Sequence, residues 1–207
     1  NATIAIDGST LTIIPLANYN GSDGVTVTVT DGDLSDSTTF TLIVTPVNDV
    51  PTLVTLSDAV IDEDGVYVLE LSGADADDGD VLTFQASVDA NSSVNVNNTT
   101  LTVTPIANFH GDILVSVLVS DGQASESDSF VLTVNSVNDA PIIDTIADQT
   151  INEDEDITIT LSAFDVEDDT LSYTAIDGNT DLAVAGDQLT ITPNQDFYGD
   201  IQIEVSV

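Results

Sequence analysis

The sequence predicts an all-β protein made of tandem antiparallel sandwiches. Apolar and polar residues alternate at period two, one block of residues recurs three times, and no segment holds a helical period. Apolar residues make up 42% of the chain, enough for a folded core despite a net charge of −37.

The recurrence defines the organisation. Leu11-Thr12-Ile13-Ile14-Pro15 returns as Leu101-Thr102-Val103-Thr104-Pro105 and as Leu189-Thr190-Ile191-Thr192-Pro193, at offsets of 90 and then 88 residues. Asn18-Tyr19-Asn20-Gly21 returns as Asn108-Phe109-His110-Gly111 and Asp196-Phe197-Tyr198-Gly199 with the same spacing. Val29-Thr30-Asp31-Gly32 matches Val119-Ser120-Asp121-Gly122, and Val47-Asn48-Asp49-Val50-Pro51 matches Val137-Asn138-Asp139-Ala140-Pro141. Residues 1–46 read as the back half of a repeat, 47–136 as a whole repeat, and 137–207 as a repeat lacking its last strand. With no methionine and no signal peptide, the expectation is an excerpt of a longer array, or end repeats completed by neighbouring chains.

Within the whole repeat, seven strands are expected near 52–60, 66–72, 81–87, 93–97, 100–104, 113–120 and 126–135. Tyr67, Leu69 and Leu71 alternate with Val68 and Glu70; Ile113, Val115, Val117 and Val119 form another row, and Phe130, Leu132 and Val134 a third. Gly, Asn and Asp clusters separate them. Seven short antiparallel strands in about 90 residues suit a Greek-key immunoglobulin-like sandwich.

The chain has 37 acidic residues and no Lys or Arg, so nothing in the protein neutralises them. Nucleic acid and anionic membrane surfaces are disfavoured as partners, and no run is long and apolar enough to span a bilayer. Cysteine is absent, which removes disulfides and thiolate sites. His110 shares its position with Asn20 and Tyr198 and reads as an exposed loop residue; a catalytic triad or histidine zinc site has no second partner. An enzyme is the least favoured class.

Most of the acids are expected in connections between strands. Successive loops alternate between the two ends of a sandwich. Glu63, Asp64 and Asp112 therefore belong to one end, and Asp75, Asp77, Asp78 and Asp121 to the other, beside the linker residues Asn48 and Asp49. Stacking repeats end to end would bring these groups together. A hard cation that takes six to eight oxygens fits such loops, and flexible loops favour Ca2+ over Mg2+.

Asn48-Asp49 before Pro51, Asn138-Asp139 before Pro141, Glu63 and the Asp75-x-Asp77 pair resemble cadherin-type calcium motifs. The wider pattern resembles the cadherin-like tandem repeats of large bacterial surface proteins and adhesins, over essentially the whole chain. That resemblance implies an elongated array stiffened by calcium at repeat junctions. It implies a first site from Asn48, Asp49, Asp75, Asp77 and Asp121 with Asp23 of the preceding repeat; Asp78, in the same loop, is a further candidate ligand. It implies a second from Glu63, Asp64, Asp112, Asn138, Asp139, Asp165 and Glu167; Asp168, in the same acidic loop, is a further candidate ligand. Glu167 departs from the Asp expected there.

The expected role is an extracellular stalk or filament segment whose partners are neighbouring repeats. Two other readings stand beside it: a polysaccharide-binding module, and a subunit that exchanges strands with copies of itself.

Overall fold

The computed structural model describes residues 1–177 and 180–207. Every regular element among them is a β-strand, and the chain divides into two units, Asn1–Asn135 and Ser136–Val207.

The first unit opens with two hairpins, β1 (Ala2–Asp7) on β2 (Thr10–Pro15) and β3 (Gly21–Thr30) on β4 (Ser35–Val44). The sandwich that follows uses β5 (Thr52–Leu53), β6 (Ala59–Asp62), β7 (Tyr67–Glu70), β8 (Gly73–Ala74), β9 (Thr83–Val88), β10 (Ser92–Asn97), β11 (Thr100–Pro105), β12 (Gly111–Ser120) and β13 (Ser125–Asn135). One layer has the order β10-β11-β7 and the other β6-β13-β12-β9, with β5 and β8 as a short extra pair. The alternating residues meet between the layers. Leu101, Val103, Ile113, Val115 and Leu132 are fully buried, and Leu71, Val117, Phe130 and Val134 complete the cluster. Tyr67 and Phe130 pack as a tilted pair with ring centroids 5.7 Å apart.

One of the seven expected strands is two strands, and β8 lies just past the expected 66–72. The segment near 52–60 begins as β5 against β8 and then crosses to the other layer, where β6 runs parallel to β13. The fold is therefore not antiparallel throughout. Alternation in a sequence records which residues face inward, not which layer their backbone joins, so the crossing leaves no periodic trace. Carboxylates serve the amides along the crossing. Leu53 N donates to Glu126 Oε2 at 2.9 Å, Leu56 N to Asp128 Oδ2 at 3.2 Å, and Val131 N to Asp58 Oδ1 at 2.8 Å. Several acids expected in connections, Asp23, Asp62 and Asp112 among them, lie within strands instead.

The corner preceding β12 explains the most regular motif of the sequence. Asn18, Asn108 and Asp196 all have φ near 58°, and the glycine three residues later has φ between 128° and 138°. Asn and Asp tolerate the first conformation and only glycine readily takes the second. The aromatic between them, Phe109 in the whole repeat, packs against the core.

The second unit repeats the plan with β14 (Ile142–Ile143), β15 (Ile157–Thr160), β16 (Ala163–Phe164), β17 (Thr174–Ile176), β18 (Thr180–Ala185), β19 (Gln188–Pro193) and β20 (Glu204–Ser206). Its sheets are β15-β19-β18, β14-β16 and β17-β20, around a smaller core of Leu161, Leu189 and Ile191.

Candidate metal centre

The end of the first unit's sandwich that carries the linker is organised by carboxylates acting on backbone amides. Asp121 closes the turn between β12 and β13, its Oδ1 accepting from Gln123 N and Ala124 N at 2.6 Å each. Asp31 does the same one repeat earlier, accepting from Asp33 N at 3.0 Å and Leu34 N at 2.8 Å. These amides hold both carboxyls below their ordinary pKa: Leu34 and then Asp33 at Asp31, and at Asp121 first Ala124, then the Asn48 side chain, then Gln123.

Asp121 also ties down the linker, its Oδ2 accepting from Asn48 Nδ2 at 2.9 Å. The same nitrogen donates to Asp49 O at 2.7 Å. The Asp49 N–H in turn donates to Asp77 Oδ2 at 2.7 Å, and Asp77 N to Asp75 Oδ1 at 2.8 Å. One connected network therefore fixes Asn48, Asp49, Asp75, Asp77 and Asp121, with both donor hydrogens of the Asn48 amide facing protein acceptors.

What remains in that network is acceptor capacity. Asn48 Oδ1 and Asp75 Oδ2 are buried and have no hydrogen-bond donor. One carboxylate oxygen from each of Asp75, Asp77 and Asp80 lies within 4.8 Å of the others. Two oxygens bound to one Ca2+ at 2.3–2.6 Å are at most about 5 Å apart, so this spacing suits a shared ion. Desolvation by its neighbours and then the charges of Asp75, Asp77 and Asp121 push the Asp80 carboxyl above its ordinary pKa. An all-oxygen set of carboxylates with an amide carbonyl suits a hard cation.

Asp80 was not among the expected ligands; the Asp-x-Asp spacing pointed to Asp75, Asp77 and Asp78. Asp78 and Asp80 are both exposed, but Asp78 stands outside the converging trio. Gly79, at φ +100°, turns the chain so that Asp80 folds back, with Asp80 N 3.5 Å from Asp77 O. An Asp-Gly-Asp run was the signal for it. Beside the trio is an open cleft of about 570 Å³, lined by Asn18, Tyr19 and Asn20 on one side and Asn48, Asp77, Asp78 and Asp80 on the other. Asp23 is engaged elsewhere in the unit. It accepts from Asn1 Nδ2 at 3.2 Å, and its bond with Tyr19 raises the tyrosine pKa above the ordinary value.

At the opposite end of the sandwich, each acid with a resolved contact faces a donor of its own. Asp64 Oδ1 accepts from Asn108 N at 3.1 Å, Asp112 Oδ1 from Thr133 Oγ1 at 2.8 Å and Asp62 Oδ1 from Asn135 Nδ2 at 3.2 Å. Glu63 is buried, with 7% of its surface exposed, and its N–H donates to Asn135 O at 2.9 Å. His110 is exposed.

The second unit rebuilds the linker network from its own residues. Asn138 Nδ2 donates to Asp139 O at 2.8 Å, Asp139 N to Glu167 Oε2 at 3.0 Å, and Glu167 N to Asp165 Oδ1 at 3.1 Å. Glu167 thus does what Asp77 does, despite its extra methylene. Asp165 is 5% exposed, and Asp139 Oδ2 and Glu167 Oε1 are buried without donors. Asp168 is exposed at φ 58°.

The chain belongs to the bacterial Ig domain family, whose description matches residues 48–135 and again 138–207. Among solved structures it is similar to mouse protocadherin-24 EC1-3, at 12% identity and a TM-score of 0.52, over 93% of this chain and 73% of that one. Human protocadherin-24 EC1-2 gives 14% identity and a TM-score of 0.45, over 76% of this chain and 93% of that one. An endo-fucoidan hydrolase of glycoside hydrolase family 107 gives 18% identity and a TM-score of 0.37, over 94% of this chain but only 33% of the hydrolase. The first likeness concerns the fold alone, and the other two, with lower TM-scores, have no bearing on function. No curated protein matches the sequence.

Proposed function

We propose that this chain is a calcium-stiffened segment of an extracellular bacterial stalk or filament, with a structural rather than catalytic role. The observation that carries the reading is the convergence of Asp75, Asp77 and Asp80 beside two buried oxygens that lack donors, in a chain with no Lys or Arg. Without a cation those carboxylates repel; with one they supply anionic ligands, Asn48 Oδ1 supplies a neutral one, and loop carbonyls and water complete the shell. Asn138, Asp139, Asp165 and Glu167 form the corresponding set in the next repeat. The partners are neighbouring repeats of the same long chain, and membership of a bacterial Ig family supports a location at or beyond the cell surface.

An ion that binds only the folded state stabilises it by about 2.7 kcal/mol at a hundred times its Kd. For a chain of this size that is a rise of roughly 5–10 °C in Tm. The test is to remove calcium with a chelator and record both the thermal melt and small-angle scattering. The expected result is a Tm drop of that order and a broader distribution of dimensions. An unchanged melt with an unchanged scattering curve would sink the proposal.

A further inference from the structure

The two flanks of the complete sandwich are protected to different degrees. On one flank the edge strands are β6 and β7. β6 ends on Asp62 and β7 on Glu70, and Asp58, Glu126 and Asp128 line the crossing from β5 to β6. On the other flank the edge strands are β9 and β10, which among the described residues are hydrogen-bonded only to β12 and β11 respectively. Neither contains a charged residue, a proline or a glycine. No acid occurs between Asp80 and Asp89 or between Asp89 and Asp112, and the second of these is the longest acid-free run of the chain. Asp89, in the connection, accepts from Leu114 N at 3.4 Å through its Oδ2.

We infer that β10 is a contact edge for a second copy of this chain, pairing antiparallel with the same strand of that copy. Exposed edges are ordinarily blunted by charge, proline, bulges or cover, because their unpaired N–H and C=O groups recruit other strands. A chain with 37 acids places none on this flank. The strands in the same register of the other repeats, β1 against β2 and β18 against β19, each carry one acid, Asp7 and Asp181. Of the three, β10 alone is uncharged.

Backbone spacing and charge select the occupant. The unpaired groups of β10 repeat at strand spacing, so what they fit is an extended backbone. A basic segment would be drawn to the acidic clusters elsewhere on the chain. A copy that itself carries −37 meets the least repulsion at the acid-free flank. A twofold axis pairs the strand with itself. With the axis at Asn95, Ser93 stands opposite Asn97 and Val94 opposite Val96. Ser93, Asn95 and Asn97 are the exposed residues, while Val94 and Val96 pack on the core, so this register keeps polar residues on one face and apolar ones on the other. Six residues a side make a small contact, at the weak and transient end of protein interfaces.

Sedimentation velocity of the 207-residue chain in chelator, over a range of protein and sodium chloride concentrations, tests this. The expected result is a monomer–dimer equilibrium that tightens as salt screens the repulsion between copies. Hydrogen exchange is expected to slow at residues 92–97 in the dimer. Asn95→Asp sets like charges opposite one another and is expected to weaken dimerisation by roughly fivefold. Val68→Asp, at an exposed position of β7 on the other flank, adds the same net charge and is expected to leave it nearly unchanged. Circular dichroism checks that each variant is folded. A chain still monomeric at about 1 mM in high salt, or a dimer that Asn95→Asp leaves intact, overturns the inference. Slowed exchange confined to residues 1–46 would put the contact at another edge and overturns it too. Because chelator is present throughout, none of these outcomes touches the calcium reading.

Discussion

The two ends of the complete repeat hold their acids in different surroundings, and the crowding of carboxylates tells them apart. At the Asp64 end, Asp62, Asp64 and Asp112 each meet one donor of the protein itself. At the Asp75 end, carboxylates face one another and leave Asn48 Oδ1 and Asp75 Oδ2 with none. Charge count does not separate these cases. An acid that meets a donor acts as a side-chain extension of the backbone ladder. An acid that meets other acids stores repulsion that a cation relieves. The same residue type therefore contributes to the fold at one end and to a crowded carboxylate cluster, the proposed cation site, at the other.

The largest effect expected from that contrast comes from Asp75→Asn. The amide keeps an oxygen for the Asp77 N–H, so the local fold survives. It removes an anionic ligand from the centre of the trio. In calcium, the variant is expected to lose most of the ion's stabilisation, up to about 2.7 kcal/mol at saturation relative to wild type. In chelator, it is expected to melt no lower than wild type, because one charge has left a crowded group. Thermal melts under both conditions give the answer. Equal destabilisation with and without calcium would show that Asp75 serves the fold alone and would erase the difference between the ends.

Asp64→Ala makes the complementary case at the other end and has a smaller effect. It removes the acceptor of Asn108 N and places a residue with a Cβ, and no compensating side-chain bond, at φ 59°. A cost of about 1–2 kcal/mol is expected from the lost hydrogen bond and the left-handed backbone. The loss should be equal in calcium and in chelator. Asp64→Asn retains both an acceptor and tolerance of that backbone, so it is expected to recover most of the stability. Chemical denaturation of the three proteins measures it. A loss at Asp64 that appears only in calcium would move this residue from the fold to a metal site.

The sandwich was legible because its core rows alternate cleanly. The positions of Leu101, Val103, Ile113, Val115 and Leu132 follow from period two alone, and all are buried. The corner before β12 was legible as a motif, because Asn108 and Gly111 are required by backbone geometry. The crossing from β5 to β6 was not, since Glu126, Asp128 and Asp58 reach its amides through side chains and such bonds have no period. At the candidate metal centre, the Asp75-x-Asp77 pair and Asn48-Asp49 stand out as short-range spacing. Asp80 depended on a turn at Gly79, and a choice between Asp78 and Asp80 requires the path of that turn. The use of Asp64 and Asp112 as partners for Asn108 and Thr133 was equally hidden, because those donors lie far along the chain.

The smallest expected effect is on pH dependence, and it has opposite signs at two neighbouring residues of one cap. Asp121 is held below its ordinary pKa by the Ala124 amide, the Asn48 side chain and the Gln123 amide. Its contribution to stability is complete above the ordinary carboxylate range and is lost as pH falls through its lowered value. Asp80 is raised, by desolvation from its neighbours and then by the charges of Asp75, Asp77 and Asp121. In the interval between its ordinary and raised values, the folded chain holds a proton that the unfolded chain has released, so stability falls as pH rises. Calcium-free protein is therefore expected to lose a little stability on moving upward through that interval, and Asp80→Asn to remove the slope. Saturating calcium is expected to invert it, because the ion requires the ionised carboxylate and its affinity grows as the proton leaves. Melts at closely spaced pH values, with and without calcium, in wild type and Asp80→Asn, measure both signs. A calcium-free slope that persists in Asp80→Asn would place the raised group elsewhere and weaken the assignment of Asp80 to the crowded end.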